Sequence, residues 1–203
     1  MRRIPNLGPW SLSRTYLRKF SVSLLSPGTH RLVKELPYQQ AQIYSVIVDV
    51  GAYPEFIPYC LSTQILRRAT KQINNIDGLS AQAKDERDCE EMDVITRVGY
   101  KGFQTDYWSH VICVPLNSVQ VIARPSSTFS HLKTTWFLSP SKSDSNSNPS
   151  SDYTQVTLDL TFKFKNPLHE YLLTDDLIWK KFSTTTIQAF ESRLLKIFGS
   201  QHS

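Results

Sequence analysis

Long hydrophobic runs are missing from this chain of 203 residues. No stretch approaches the roughly 18 consecutive apolar residues of a membrane-spanning helix, so the sequence predicts no such helix. Hydrophobic residues nevertheless make up 40% of the chain and aromatic residues 11%, which is enough to form a sizeable core. The length fits one domain, or one domain with a tail.

Cysteine is scarce and histidine is scattered. The three cysteines, Cys60, Cys89 and Cys113, form no CxxC motif, and their odd number favours reduced thiols over a disulfide framework. None of the five histidines has a second ligand at metal-binding spacing. We therefore expect no disulfide scaffold, no metal site and no cofactor.

Acidic residues are absent before Glu35. The first 28 residues contain five of the 23 basic residues, and without those five, 18 basic residues remain against 18 acidic ones. A formally neutral domain without a basic run is a poor match to nucleic-acid binding, which needs several phosphate-neutralising side chains on one surface. We therefore expect no nucleic-acid partner.

An N-terminal segment rich in Arg, Ser and Leu and free of acids is typical of a mitochondrial presequence, and it lacks the apolar core of a secretory signal. Residues 1–28 are therefore predicted to be a mitochondrial transit peptide. The run Arg18-Lys19-Phe20-Ser21 resembles a matrix-peptidase site with arginine three residues before the cut. The alternative is a basic disordered tail, and sequencing the N-terminus of protein purified from mitochondria distinguishes the two.

Hydrophobic periodicity predicts one long helix and several strands. In chain order, the patterns predict a strand at 29–36, an amphipathic helix at 38–49, a proline-punctuated apolar segment at 51–60, a strand at 61–69, a polar loop at 70–91, β-rich segments between 92 and 139, a mobile polar loop at 139–152, a strand at 153–164, a helix at 168–198 and a tail at 200–203. Asn166 and Pro167 suit the start of the last helix, and Gly199 suits its end.

This order predicts an α+β domain over residues 29–199. We expect a curved antiparallel sheet of about six to seven strands, two short helices after the first strand, and the long C-terminal helix lying across one face. A straight helix cannot follow a strongly twisted sheet, so a cavity is expected between them.

Several local strings carry a family resemblance. They are 53–60 (YPEFIPYC), 98–103 (VGYKGF) with 107–111 (YWSHV), 129–136 (FSHLKTTW), and 162–168 (FKFKNPL) with 189–193 (AFESR). In this order they resemble the START-like superfamily with the helix-grip fold, and within it the mitochondrial coenzyme Q-binding protein family and its bacterial polyketide-cyclase-like relatives. Two departures are visible: Tyr59 stands where family members often have Trp, and the 139–152 loop is longer and more polar than usual.

The resemblance implies non-catalytic binding of coenzyme Q. It implies a lipid chaperone on the matrix side of the mitochondrial inner membrane, in peripheral contact with that membrane. Such a protein would support respiratory electron transport and quinone biosynthesis, with quinone-biosynthesis or respiratory proteins as candidate partners. The quinone is then a bound ligand rather than a cofactor.

The predicted ligand-binding residues are large apolar side chains, with one threonine, from the proline-rich segment, the strands and the long helix. They are Phe56, Ile57, Pro58, Tyr59, Phe103, Tyr107, Trp108, Trp136, Phe162, Phe164, Ile178, Phe182, Thr186 and Phe190. Aromatic residues within 51–60 indicate a lid or wall, because two prolines and a glycine prevent a long helix there. The alternative for every one of these residues is ordinary packing in the core.

No catalytic set is visible in the sequence. The acids between residues 85 and 93 are interpreted as a solvated loop and strand end. Ser109 and His110 are neighbours on a predicted strand, so their side chains point to opposite faces and do not form a nucleophile–base pair. The alternatives to quinone binding are a carrier of another lipid, a cyclase-like enzyme acting on an aromatic intermediate, and a ribosome-associated interaction module.

Overall fold

The computed structural model describes residues 21–26, 29–72, 88–100, 103–141, 153–165 and 176–200. The elements are β1 Ser21–Ser26, β2 Thr29–Leu36, α1 Gln40–Val48, a 3₁₀ turn Val50–Ala52, α2 Tyr53–Phe56, β3 Cys60–Gln72, β4 Asp88–Tyr100, β5 Phe103–Val114, β6 Ser118–Ala123, β7 Phe129–Pro140, β8 Thr154–Phe164 and α3 Asp176–Phe198. Among these residues no helix has the length and hydropathy of a membrane span.

The strands form one open sheet in the order β1-β2-β8-β7-β6-β5-β4-β3. Every hydrogen-bonded pair of strands is antiparallel. From β3 to β8 each strand pairs with the next in the chain, and β8 then pairs with β2, which brings the two ends of the domain together. Strands β1 and β3 are the two edges.

Strict alternation along β8 separates the two faces of the sheet. Thr154, Val156, Leu158, Leu160, Phe162 and Phe164 are buried, whereas the residues between them are more exposed. The register places Trp136 of β7 beside Leu158, and Val119 of β6 beside Trp136. We call the face that carries these side chains the inner face, and the opposite one the outer face.

Helices α1 and α3 pack on the inner face. Ile187, Phe190 and Leu194 recur at three- and four-residue steps along α3 and are at most 3% exposed, which is the spacing of one helical face. They join a main core with residues from α1 and the sheet. The Lys34 ammonium of β2 also pairs with the Glu191 carboxylate of α3, so both apolar and charged contacts hold the C-terminal half of α3.

A second, smaller cluster lies further along the same inner face. Leu160, Phe162 and Phe164 are its buried members, and Phe129 and Leu132 pack against them. The inner face therefore carries two apolar clusters.

The predicted α+β helix-grip class is confirmed, with one strand more than expected. The additional strand is β1, which pairs with β2 and lies inside the segment predicted to be a presequence. The transit peptide at residues 1–28 stays a prediction. A cut before Ser21 would leave β1 in the mature protein, whereas a boundary at residue 28 would remove it.

The predicted polar loop at 70–91 is shorter than expected. Strands β3 and β4 pair as far as Gln72 and Asp88, and residues 73–87 lie outside the described part of the structure. Cross-strand ion pairs such as Lys71 with Glu91 (2.7 Å) accompany this pairing, so a sequence without an apolar alternation still forms strands. Residues 139 and 140 belong to β7, and the rest of the predicted 139–152 loop lies outside the described residues except Ser141.

Candidate functional site

The candidate site is the inner face between the main core and the second cluster. On β7, Trp136 belongs to the main core and Leu132 packs on the second cluster. Thr134 lies between them, on the same face and half-buried. The apolar inner face is therefore interrupted between the two clusters by a small polar side chain.

Hydroxyl groups form a polar strip on this face, which we define as Thr96, Thr105, Tyr107 and Thr128. Thr96 and Tyr107 are directly paired on β4 and β5, and the Thr105 and Thr128 hydroxyls are 3.1 Å apart. Thr128 is directly followed by Phe129 of the second cluster. The strip thus places hydrogen-bonding groups beside an aromatic surface.

Burial raises the pKa of Tyr107 from about 10 to about 12, and the neighbouring Cys60 acts in the same direction, whereas a hydrogen bond with Thr96 opposes the shift. Burial similarly raises the pKa of Cys60 to about 11. The Tyr107 phenol therefore stays protonated throughout the physiological pH range, and it remains a hydrogen-bond donor.

The raised pKa of Tyr107 predicts a loss of stability in alkali. The unfolded chain releases the Tyr107 proton near pH 10 and the folded chain near pH 12. The contribution of the neutral phenol to the free energy of unfolding is therefore full below pH 10 and disappears as the pH rises to 12. A shift of this size corresponds to roughly 2–3 kcal/mol at most. Urea unfolding at several pH values should show a shallower alkaline decline for Tyr107→Phe than for the natural chain. Parallel declines would contradict the assignment.

The proline-rich segment is attached to the main core. Phe56 lies edge-on to Phe190, with 5.2 Å between ring centroids, and its ring also meets Tyr53 at 5.8 Å. The Arg193 guanidinium lies over the Phe56 ring and pairs with the Glu55 carboxylate at 3.0 Å. Helix α2 is therefore fastened to α3 by aromatic and charged contacts together.

The other three predicted residues of that segment lie at its exit into β3. Ile57 packs on the main core, and Pro58 and Tyr59 are half-buried. Tyr59 has φ +71°, a left-handed conformation that costs about 1 kcal/mol or more for a residue with a side chain. Its carbonyl accepts a hydrogen bond from Gly99 N–H at 2.9 Å, which holds this turn against β4.

The remaining aromatic predictions divide between the two clusters. Trp136 and Phe190 belong to the main core and their ring centroids are 4.7 Å apart. Phe162 and Phe164 belong to the second cluster. Thr186 lies one turn before Phe190 on α3 and is half-buried. Whether any of these side chains contacts a ligand stays a prediction.

The prediction that Trp108 lines the ligand cavity is wrong. Its neighbours Tyr107 and Ser109 face inward, so Trp108 points to the outer face, where it is 46% exposed. A side chain there cannot line a space between the sheet and α3. The side chains of Phe103, Ile178 and Phe182 lie outside the described part of the structure.

Sequence reasoning missed several polar members of the site. Thr96, Thr105 and Thr128 were not predicted, nor was His30, whose ring stacks on Phe162 at 5.6 Å. The alternation that makes Tyr107 face inward also makes Thr105 and Ser109 do so. That signal was present in the sequence for β5, whereas Thr128 and His30 reach the site only through strand pairing.

The pair Ser109 and His110 lies on opposite faces, as the strand pattern predicts. The Ser109 hydroxyl donates to the buried Val94 carbonyl at 3.4 Å. His110 Nδ1 lies 3.0 Å from an Asp93 carboxylate oxygen on the outer face. Within the described residues no group of three His, Cys, Asp or Glu side chains is arranged to hold a metal ion.

Two curated relatives show what this chain is similar to. It is 25% identical over 175 residues to the mitochondrial coenzyme Q-binding protein COQ10 of Dictyostelium discoideum, covering 86% of this chain and 73% of that protein. It is 26% identical over 171 residues to the ribosome association toxin RatA of Rickettsia prowazekii, covering 81% of this chain and 94% of that protein.

The fold is shared with solved structures. The 18 kDa protein CC1736 of Caulobacter crescentus superposes with a TM-score of 0.60 over 85% of this chain and 99% of that chain, at 22% identity. Residues 36–184 match the family model described as polyketide cyclase/dehydrase and lipid transport. A match over most of the chain shows that the protein belongs to this polyketide cyclase/dehydrase and lipid transport family.

Proposed function

We propose that this protein binds coenzyme Q without transforming it, in the space between α3 and the inner face. The observation that carries the proposal is the polar strip of hydroxyl groups beside the aromatic second cluster. The similarity to a protein named as coenzyme Q-binding supports the choice of ligand.

The chemistry of the polar strip suits a quinone head group. The carbonyl and ether oxygens of a substituted quinone accept hydrogen bonds and donate none. The Thr105 and Thr128 hydroxyls share one hydrogen bond, which leaves one of their two protons to donate. The Tyr107 phenol remains protonated because its pKa is about 12. Aromatic rings such as Phe162 and Phe164 offer the flat apolar surface on which a quinone ring packs.

The polyprenyl tail sets a limit on how the ligand is carried. Each methylene gains about 0.8 kcal/mol on leaving water, so a long tail taken from water would exceed the practical ceiling of about 20 kcal/mol. The real competitor is the bilayer, which is equally apolar, so extraction is close to neutral. We therefore propose that the domain shelters part of the quinone at the membrane surface rather than ferrying it through water.

The proposed location is the matrix side of the mitochondrial inner membrane. The acid-free N-terminal segment and the mitochondrial name of the Dictyostelium relative support it. There the protein would act as a quinone chaperone for respiratory electron transport and for quinone biosynthesis.

Mass spectrometry of lipids extracted from the purified full chain tests the ligand. We expect polyprenyl quinone to be retained in proportion to the protein, and a solvent blank from cells without the protein serves as control. A different lipid retained in that proportion would replace quinone as the ligand. Protein that is lipid-free, and that takes up no quinone from detergent micelles, would contradict the proposal.

A second candidate function is a ribosome-associated module, favoured by the similarity to the Rickettsia relative. The formal neutrality of the chain after residue 28 disfavours a large ribosomal RNA contact. Co-sedimentation with mitochondrial ribosomes at rising salt concentration tests this candidate. Retention at physiological salt would establish it.

A further inference from the structure

A basic patch with an exposed tryptophan lies on the outer face, at the end of the sheet that carries the second cluster on its inner side. We define this outer patch as Trp108, Arg124, Lys133 and Lys163. Trp108 is 46% exposed, Arg124 and Lys163 are exposed, and Lys133 is half-buried. Trp108, Lys133 and Lys163 lie on β5, β7 and β8, and Arg124 directly follows β6, so the patch crosses about 15 Å of the sheet at the usual strand spacing.

Strand pairing brings the four residues together. The Arg124 N–H donates to the Trp108 carbonyl at 2.7 Å, and the Arg124 guanidinium lies 5.6 Å from the indole centroid. Lys133 is the partner of Ile122 on β6 and of Thr161 on β8. Lys163 lies two residues beyond Thr161 on the same face.

The acids near the outer patch are already neutralised. Asp106 on β5 makes a bidentate pair with Arg97 at 2.7 and 2.9 Å. Asp159 on β8 makes a bidentate pair with Arg31 at 2.6 and 2.7 Å. No ion pair of Arg124, Lys133 or Lys163 occurs within the described ranges. Among the described residues the patch therefore carries excess positive charge, with Arg124 and Lys163 exposed and Lys133 half-buried.

We propose that the outer patch docks the protein on an anionic phospholipid bilayer. Indole rings favour the boundary between water and lipid, and each nearby cation gains from the negative surface of the bilayer. The inference deepens the proposed function and rests on it for the choice of a membrane over another anionic surface. Docking at this end would place the second cluster, Leu160, Phe162 and Phe164, close to the lipid from which a quinone enters.

The single aromatic side chain of the outer patch favours a membrane over a single-stranded nucleic acid. Single strands bind grooves in which aromatic side chains stack on successive bases, whereas the outer patch as defined contains one aromatic side chain, Trp108. Insertion into the lipid interface needs only the indole edge and benefits from the adjacent cation.

Vesicle flotation with the full chain tests the docking surface. The probes are phosphatidylcholine vesicles with and without cardiolipin, at low and high salt. We expect binding to require cardiolipin, with a loss of about 25-fold in the double variant Lys133→Gln/Lys163→Gln and about tenfold in Trp108→Ala. Brominated lipids should quench more of the tryptophan fluorescence in the natural chain, which has four tryptophans, than in Trp108→Ala.

Matched variants separate the outer patch from general charge and apolarity. Lys71→Gln/Lys196→Gln makes the same charge change elsewhere, and Phe137→Ala removes an aromatic side chain that is 45% exposed on the same face at the other end of the sheet. Both variants should bind vesicles as strongly as the natural chain. The basic N-terminal segment is present in every variant, so its contribution to vesicle binding is the same throughout. Equal losses in control and patch variants, or binding to ribosomal RNA but not to vesicles, would overturn the proposal. Patch variants that lose vesicle binding but still retain quinone in detergent would show that docking has been lost while the ligand assignment stands.

Discussion

Replacing Phe190 with alanine is expected to lower the free energy of unfolding by about 3–5 kcal/mol, the usual cost of removing a buried phenylalanine. Phe190 is 3% exposed and its ring meets three others, those of Tyr53, Phe56 and Trp136, at centroid distances of 5.6, 5.2 and 4.7 Å. The ring joins α2, α3 and β7 at one point, so its loss leaves a cavity that several elements border.

Leu195→Ala is the matched control on the same helix. Leu195 is 53% exposed, so its truncation should change the free energy of unfolding by about 0.5 kcal/mol or less. Denaturation by urea measures both variants. A Phe190→Ala variant as stable as Leu195→Ala would mean that α3 does not pack on the inner face through this side.

Replacing Thr134 with tryptophan is expected to reduce retained quinone at least tenfold while the domain stays folded. Thr134 lies on the inner face between the two apolar clusters and is half-buried, so a large ring there would fill the space assigned to the ligand. Overpacking itself costs about 1–3 kcal/mol, which a domain of ordinary stability tolerates. Quinone per protein, measured by mass spectrometry, is the readout.

Thr157→Trp provides the matched control. Thr157 is also half-buried and lies on a central strand, but its side chain faces outward beside Phe137. This variant should retain quinone at the level of the natural chain. Equal retention in both variants would remove the inner face as the binding surface, whereas equal loss in both would indicate a general effect on folding.

Much of the architecture follows from local patterns. The alternation of β8 predicts one apolar face from Thr154 to Phe164, and every second residue of that range is buried, because a half-buried strand repeats every two residues. The helical spacing similarly predicts the packed side of α3 at Ile187, Phe190 and Leu194, whereas Ile197, which belongs to the same predicted stripe, is 50% exposed. The same rule, applied to β5, would have placed Trp108 outside once Tyr107 was placed inside.

Local patterns do not predict which strands pair when they are far apart in the chain. The strands β3 and β4 continue into polar sequence because Arg67, Arg68 and Lys71 meet Asp93, Glu90 and Glu91 across the ladder. Such a partner is invisible from one strand alone, since each segment by itself has the composition of a loop. Thr128 reaches Thr105 for the same reason, through the return of the chain from β5 to β7.

From the sequence alone came the α+β class, the order of its main elements, the long C-terminal helix and a family resemblance, because periodicity and turn residues act over short distances. Tertiary structure alone decided which aromatic residues share a cluster, that Trp108 faces outward beside Arg124, and that the hydroxyl groups of Thr105 and Thr128 meet. These properties depend on strand order and register, which arise only when residues far apart in the chain pair. The proposed ligand site and the proposed membrane surface consequently lie on opposite faces of one sheet.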